Sequence, residues 1–136
     1  MATKYKFKKV ALVAGARPNF MKVAPLYHAL KNKGIPFFLL NTGQHFDDKM
    51  SKQFLEEFRI VPHYTLTPSP VSLIAQMATM MQDIEAVFQK ENPAIVIVVG
   101  DVNSTFTATY VAHKMKIPLA HVEAGLRSRN REMPEE

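Results

Sequence analysis

Ala94-Ile95-Val96-Ile97-Val98-Val99, followed by Gly100-Asp101-Val102-Asn103, is the stretch that decides the fold. Six consecutive apolar, mostly β-branched residues suit a strand covered on both faces, and a glycine-led polar turn ends it. Working outward, Lys8 to Ala14 (KKVALVA) and Ile35 to Asn41 (IPFFLLN) read as buried strands before it, and Ile117 to Val122 (IPLAHV) as the last strand after it. A weak strand is expected at His63 to Leu66, ahead of the Pro68-Ser69-Pro70 break.

Helical patterns fill the intervals. One is expected from Phe20 to Lys33, capped by Asn19, kinked by Pro25 near its first turn and stopped at Gly34. A second begins at Asp47-Asp48, whose charges suit its positive end, and runs through Phe58. A third spans Val71 to Glu91, with Leu73, Met77, Met80, Met81, Ile84, Val87 and Phe88 at helical spacing and Pro93 beyond its end. Its methionines read as core filler. A fourth, capped by Ser104, runs to Lys116, and Glu123 to Glu136 reads as loop. Strands of the buried type alternating with helices imply an α/β domain, a doubly wound parallel sheet of Rossmann-like form. Ligands in such sheets sit beyond the carboxyl ends of the strands. That rule marks four segments: Gly15 to Asn19, Thr42 to His45, Gly100 to Ser104, and Glu123 to Arg131.

The 136 residues suit one domain, and 47% apolar against 21% charged content is that of a globular protein. No apolar run approaches the roughly 18 residues needed to span a bilayer, so no membrane partner is expected and the cytoplasm is the expected compartment. The absence of cysteine excludes disulfides, thiolate chemistry and cysteine-ligated zinc. Net charge is +5, with Lys4, Lys6, Lys8, Lys9, Arg17, Lys22, Lys31 and Lys33 unaccompanied by any acid as far as Gln44. Such a segment can attract phosphate, but aromatics are not interleaved with the bases, so nucleic acid is not an expected partner.

Gly15-Ala16-Arg17-Pro18 leads from strand to helix but is neither a dinucleotide fingerprint nor a phosphate-loop motif. Arg17 and Lys22 at that helix start can hold an anion, or Arg17 can structure its own loop. Asp101 and Glu123 stand at the ends of two successive strands, which suits acid/base work or stabilisation of a cationic sugar carbon. The alternatives are helix capping by Asp101 and pairing of Glu123 with Arg127. His121, two residues before Glu123, makes a metal site conceivable, but no ligand spacing supports one and none is expected. His45 can touch a ligand or cap a helix; His28, His63 and His113 read as surface residues. Arg127, Arg129 and Arg131 suit phosphate or substrate contact.

Five segments together resemble one family, the UDP-N-acetylglucosamine 2-epimerases of the non-hydrolysing type. They are Gly15-Ala16-Arg17-Pro18-Asn19-Phe20-Met21-Lys22-Val23-Ala24-Pro25-Leu26, Thr42-Gly43-Gln44-His45, Gly100-Asp101-Val102-Asn103-Ser104-Thr105, His121-Val122-Glu123-Ala124-Gly125-Leu126-Arg127-Ser128 and Met133-Pro134-Glu135-Glu136. The resemblance implies a glycosyltransferase-B type fold, two Rossmann-like domains around a cleft, with residues 1–136 as the N-terminal domain. The C-terminal nucleotide-binding domain, source of most uridine-diphosphate contacts and of a catalytic histidine, is expected to be absent. The chain alone is therefore expected to fold without turning over.

The implied reaction interconverts UDP-N-acetylglucosamine and UDP-N-acetylmannosamine without a cofactor or metal. The C1–O bond to UDP breaks, C2 loses its proton to give a glycal, and UDP adds back after protonation of the opposite face. Carried over by position, Asp101, Glu123 and Glu135 match the catalytic acids; Arg17 and Lys22 match substrate-binding bases, a role Arg127 is also expected to share. Gln44 and His45 match a loop that in many bacterial members contacts a second, regulatory UDP-N-acetylglucosamine. This chain departs from that pattern at Phe46-Asp47 and lacks a glycine-rich pattern over Thr67 to Ser72. A homodimer is a further expectation from the family. A hydrolysing epimerase, a nucleotide-sugar glycosyltransferase and a non-catalytic binding module are the alternatives.

Overall fold

A computed structural model describes residues 8–43 and 48–133. Gln44, His45 and Glu135 lie outside the described residues. In chain order the elements are β1 (Val10–Ala14), α1 (Arg17–Asn32), β2 (Phe37–Asn41), α2 (Asp48–Glu57), β3 (Tyr64–Thr65), α3 (Leu73–Glu91), β4 (Ile95–Val99), α4 (Asn103–Lys114) and β5 (Leu119–Val122). The five strands form one sheet in the order β3-β2-β1-β4-β5, and every pairing is parallel. This is the expected doubly wound arrangement. The strand order reverses between β1 and β4, so the loops leaving those two strands diverge and open a crevice at the carboxyl edge.

The period-two alternation of the strands explains why both faces are apolar. Ala11, Val13, Phe38, Leu40, Val96 and Val98 face one way and are buried against Met80, Ile84, Val87 and Phe88 of α3 and Ala108, Val111 and Ala112 of α4. Leu12, Ala14, Leu39 and Val99 face the other way, against Phe20, Val23, Ala24 and Tyr27 of α1 and Ile60 beyond α2.

Helix limits differ from the expected ones in informative ways. α1 begins three residues early, because Pro18 occupies its first turn, where a missing amide donor costs nothing. Pro25 therefore falls in the third turn and not the first, and the helix continues past it. α3 starts at Leu73, with the Ser72 hydroxyl accepting from the Ala75 amide at 3.1 Å. Leu73 is 58% exposed, so the apolar stripe is buried only from Met80 onward. α4 is capped by Val102, not by Ser104.

Ser104 has another task. It is 1% exposed, and its hydroxyl meets that of Thr42, at the end of β2, across 2.6 Å. Gly15, leaving β1, passes directly over this pair. A Cβ there would fall 1.9 Å from Ser104 Oγ and 2.1 Å from Thr42 Oγ1. Glycine is required at position 15 by this close approach, which in turn sets how low the β1–α1 loop lies on the sheet.

Away from the carboxyl edge, Tyr64 and Lys9 converge on Glu91 at the end of α3, with the phenol donating to Oε1 and the ammonium to Oε2. These two donors hold the Glu91 carboxyl below its ordinary value of 4.5. His63 lies at the surface, as expected, and its Nδ1 accepts from the Leu39 amide at 3.0 Å, extending the ladder of β2. Burial, and secondarily the Lys9 ammonium, keep its pKa below the ordinary 6.5, against a pull upward from Glu91.

Two outcomes are expected. Gly15→Ala should cost about 2–4 kcal/mol in denaturant unfolding, because it overpacks a buried site and breaks the hydroxyl pair; Ser104→Ala in the same chain should recover part of that loss. The second concerns pH. A lowered histidine pKa means the fold favours the neutral ring, so its contribution is complete above 6.5 and is lost as pH falls through the folded-state value. The thermal midpoint should therefore hold steady above neutrality and decline as pH falls below 6.5. The decline should be smaller in His63→Asn. Glu91 adds a separate loss only below 4.5.

Candidate functional site

The β1–α1 turn is built around Asn19. The expected capping role of this residue is inverted: it is the third residue of α1, and its side chain reaches back to the turn. Asn19 Oδ1 accepts from the amides of Gly15 (3.1 Å) and Ala16 (3.2 Å), while Nδ2 donates to the carbonyl of Val99 at 3.4 Å. At 3% exposure these bonds form out of water. One side chain thus ties the start of α1 to the carboxyl end of β4, across the point where the strand order reverses. Thr105 Oγ1 donates to the same Val99 carbonyl at 2.8 Å, so the start of α4 is fixed to that strand end as well.

Four helices follow strands of this parallel sheet and present their amino ends at this edge; α2 begins at Asp48, but none of α1, α3 and α4 carries an acid in its first turn. Their partial positive charge is left for another anion. Arg17 is the first residue of α1 and is exposed. Its guanidinium lies over the Phe54 ring of α2, 3.9 Å from the centroid, and no carboxylate among the described residues pairs with it. The alternative in which Arg17 structures its own loop is not what the structure shows.

Lys22, on the second turn of α1, forms an ion pair with Glu123. The expected alternative partner of Glu123, Arg127, instead donates to the carbonyls of Ala124 (3.0 Å) and Leu126 (2.8 Å) and orders its own loop. Glu123 follows β5 directly with φ +63°, a left-handed conformation uncommon for a glutamate. The Lys22–Glu123 pair therefore reaches from α1 over β4 to β5.

Asp101 stands two residues past Val99, which pairs with Val122. Asp101 and Glu123 are consequently at the same edge on neighbouring strand ends. Asp101 is exposed and does not cap α4, and it has no hydrogen-bond or ion-pair partner among the described residues. Gly100 before it has φ +69°, which turns the chain sharply out of β4. His121 Nε2–H donates to the Gly100 carbonyl at 2.6 Å and pins β5 to this turn. Among the described residues no three His, Asp or Glu side chains are grouped closely enough to hold a metal ion.

The edge thus brings together Arg17, Lys22, Asp101 and Glu123. Arg127 lies on the neighbouring loop, engaged with backbone. The role of Asn19 was readable only in part, since its residue type suits either direction of capping. The Phe54 ring under Arg17, and the Thr42–Ser104 pair, left no signal in the sequence because each joins residues far apart along the chain.

Comparison with known proteins fits this geometry. A family model described as UDP-N-acetylglucosamine 2-epimerase matches residues 28–136. The UDP-N-acetylglucosamine 2-epimerase of Methanocaldococcus jannaschii is 40% identical over 129 residues, covering 94% of this chain and 35% of the relative. The UDP-2,3-diacetamido-2,3-dideoxy-D-glucuronate 2-epimerase of Pseudomonas aeruginosa is also 40% identical, covering 94% of this chain and 37% of the relative. Among solved structures, the Methanocaldococcus jannaschii enzyme in complex with UDP-GlcNAc and UDP superposes with a TM-score of 0.88, covering 94% of this chain and 36% of that one. The Neisseria meningitidis enzyme bound to UDP-GlcNAc gives 0.86 at 35% identity, over 94% of this chain and 35% of that one. The chain spans about a third of the length of the curated relatives it matches. With the family model matched across most of its length, and the same fold in relatives at 35–40% identity, the chain belongs to the UDP-N-acetylglucosamine 2-epimerase family.

Proposed function

We propose that this chain forms the N-terminal Rossmann-like half of a non-hydrolysing UDP-N-acetylglucosamine 2-epimerase, the other half being a nucleotide-binding domain that closes the cleft. The observation that carries the reading is the meeting, at one sheet edge, of unneutralised helix amino ends and Arg17 with two carboxylates, Asp101 and Glu123, on neighbouring strands. The first set suits a diphosphate. The second suits proton transfer at the adjacent sugar.

In this reading the α1 amino end and Arg17 take the diphosphate of the substrate. Lys22 is assigned with Arg17 to substrate binding and, through its ion pair, holds the Glu123 carboxylate over the crevice. As the C1–O bond breaks, its electron pair leaves with UDP and positive charge develops on the sugar. A carboxylate nearby stabilises that charge and removes the C2 proton, and the electrons of the C–H bond become the C1–C2 double bond. A proton then returns to the opposite face of C2 and UDP adds back at C1, with no net oxidation or reduction. Asp101, Glu123 and Glu135 are assigned these acid/base and electrostatic tasks. Arg127 is assigned to substrate through its loop, and Gln44 and His45 to a second nucleotide-sugar contact. A homodimer is carried from the family resemblance alone, and the cytoplasm is the compartment proposed from the composition of the chain.

Substrate choice has a specific competitor. The two relatives at 40% identity differ in the sugar their names give, one N-acetylglucosamine and the other a 2,3-diacetamido glucuronate. Both carry a UDP-linked 2-acetamido sugar epimerised at C2, which is the part of the molecule this edge addresses. N-acetylglucosamine is the proposed substrate because the family model that spans residues 28–136 has that description.

The test is proton NMR in deuterium oxide. The chain alone should leave UDP-N-acetylglucosamine unchanged. Joined to the remaining two thirds of the Methanocaldococcus jannaschii relative, it should produce UDP-N-acetylmannosamine with deuterium at C2. In that chimera Asp101→Asn and Glu123→Gln should each lower kcat by about 10²–10⁴. Release of UDP with free N-acetylmannosamine would assign the hydrolysing class instead. Turnover by the chain alone would overturn the half-site reading.

A further inference from the structure

Arg17, at the start of α1, carries its guanidinium over an aromatic ring. The Phe54 ring lies 3.9 Å below the guanidinium carbon, centroid to atom. Among the described residues its N–H donors have no hydrogen-bond or ion-pair partner. A guanidinium seated on a ring with unpaired N–H donors suits bidentate bonding to phosphate oxygens.

The ring is itself well placed for this. Leu55 and Phe58 of the α2 segment pack on the core cluster beneath α1, which fixes the rotation of the helix about its axis. Phe54, adjacent to Leu55 and four residues before Phe58, is then left at the rim, half-buried. It stacks on Phe58 with centroids 6.2 Å apart and an interplanar angle of 22°. The Phe58 carbonyl accepts from His28 Nε2–H at 2.9 Å, tying the end of this helix to α1 itself. Ring and guanidinium are therefore carried on two helices locked to each other. The ring belongs to neither core cluster, and the Arg17 guanidinium lies over it.

We propose that Phe54 is the positioning residue for Arg17: it orients the guanidinium edge toward the diphosphate of the nucleotide sugar. The inference rests on the assignment of the α1 amino end as the diphosphate site. Phe54 does not touch the ligand and acts only through Arg17.

The experiment is an amide NMR titration of this chain with UDP, and separately with inorganic pyrophosphate. Shifts are expected at Gly15, Ala16 and Arg17. Phe54→Leu should weaken binding about two- to fivefold, the range of an exposed cation–π contact. Phe54→Tyr, which keeps the ring, should restore it. In an Arg17→Gln background Phe54→Leu should have no further effect, whereas a general structural role would cost the same factor in both backgrounds. Equal loss in both backgrounds, or unchanged affinity in Phe54→Leu with only a lowered melting temperature, would overturn the proposal. Absence of shifts at residues 15–17 in the unsubstituted chain removes the diphosphate site, and this inference falls with it. That result is distinct from a site that binds but ignores Phe54.

Discussion

The Asn19 side chain is the interaction on which the rest of the edge depends. A parallel sheet buried on both faces sends every polar loop to its ends, and the loops nearest the crevice lose water as the helices close over them. Backbone amides in that position need internal partners. Asn19 gives two of them an acceptor and donates to the end of β4, in a space where it is 3% exposed. Beneath it the Thr42–Ser104 pair satisfies two more polar groups, and Gly15 exists as glycine because that pair is so close. These bonds connect β1, β2, β4, α1 and α4 without a single charge, which leaves the charged residues of the edge free for other work.

The electrostatic layout follows from that economy. Because neutral side chains satisfy the turn, no acid is needed in the first turns of α1, α3 or α4, and their positive ends stay uncompensated. The acids present, Asp101 and Glu123, stand instead where β4 and β5 end. An edge with separated positive and negative groups suits a ligand with an anionic part and a part that becomes cationic during reaction. The Lys22–Glu123 pair is the direct link between the two regions, and it spans the crevice rather than lying beside it. At the other side of the edge, the Phe54 stack attaches α2 to Arg17, so every helix on that face of the sheet contributes to the position of a base.

The fold was legible in the sequence to an unusual degree because the strands are buried on both faces. The runs around Val10–Ala14, Phe37–Asn41 and Ile95–Val99 are continuous and apolar, and few other elements of that length fit them. Helix starts were less legible. Asn19 and Ser104 are both good caps by residue type, yet each sits inside its helix and uses its side chain on something else. The apolar character of Leu73 suggested burial, but the residue is exposed and α3 is buried only from Met80 onward. His63 is at the surface as expected, but nothing local marks a ring nitrogen that completes the β2 ladder.

The sequence by itself determined the alternation of elements, the parallel sheet, the polar edge that holds the candidate site, and the family to which the chain belongs. Those properties depend on local patterning and on short motifs, which are written contiguously. Only the tertiary structure decided the partners: Glu123 with Lys22 and not Arg127, Arg17 with Phe54 and not its own loop, His121 with Gly100. Each of these contacts joins residues brought close by the right-handed crossovers and the reversal of strand order. Their separation along the chain bears no relation to their separation in space, and no periodicity records it.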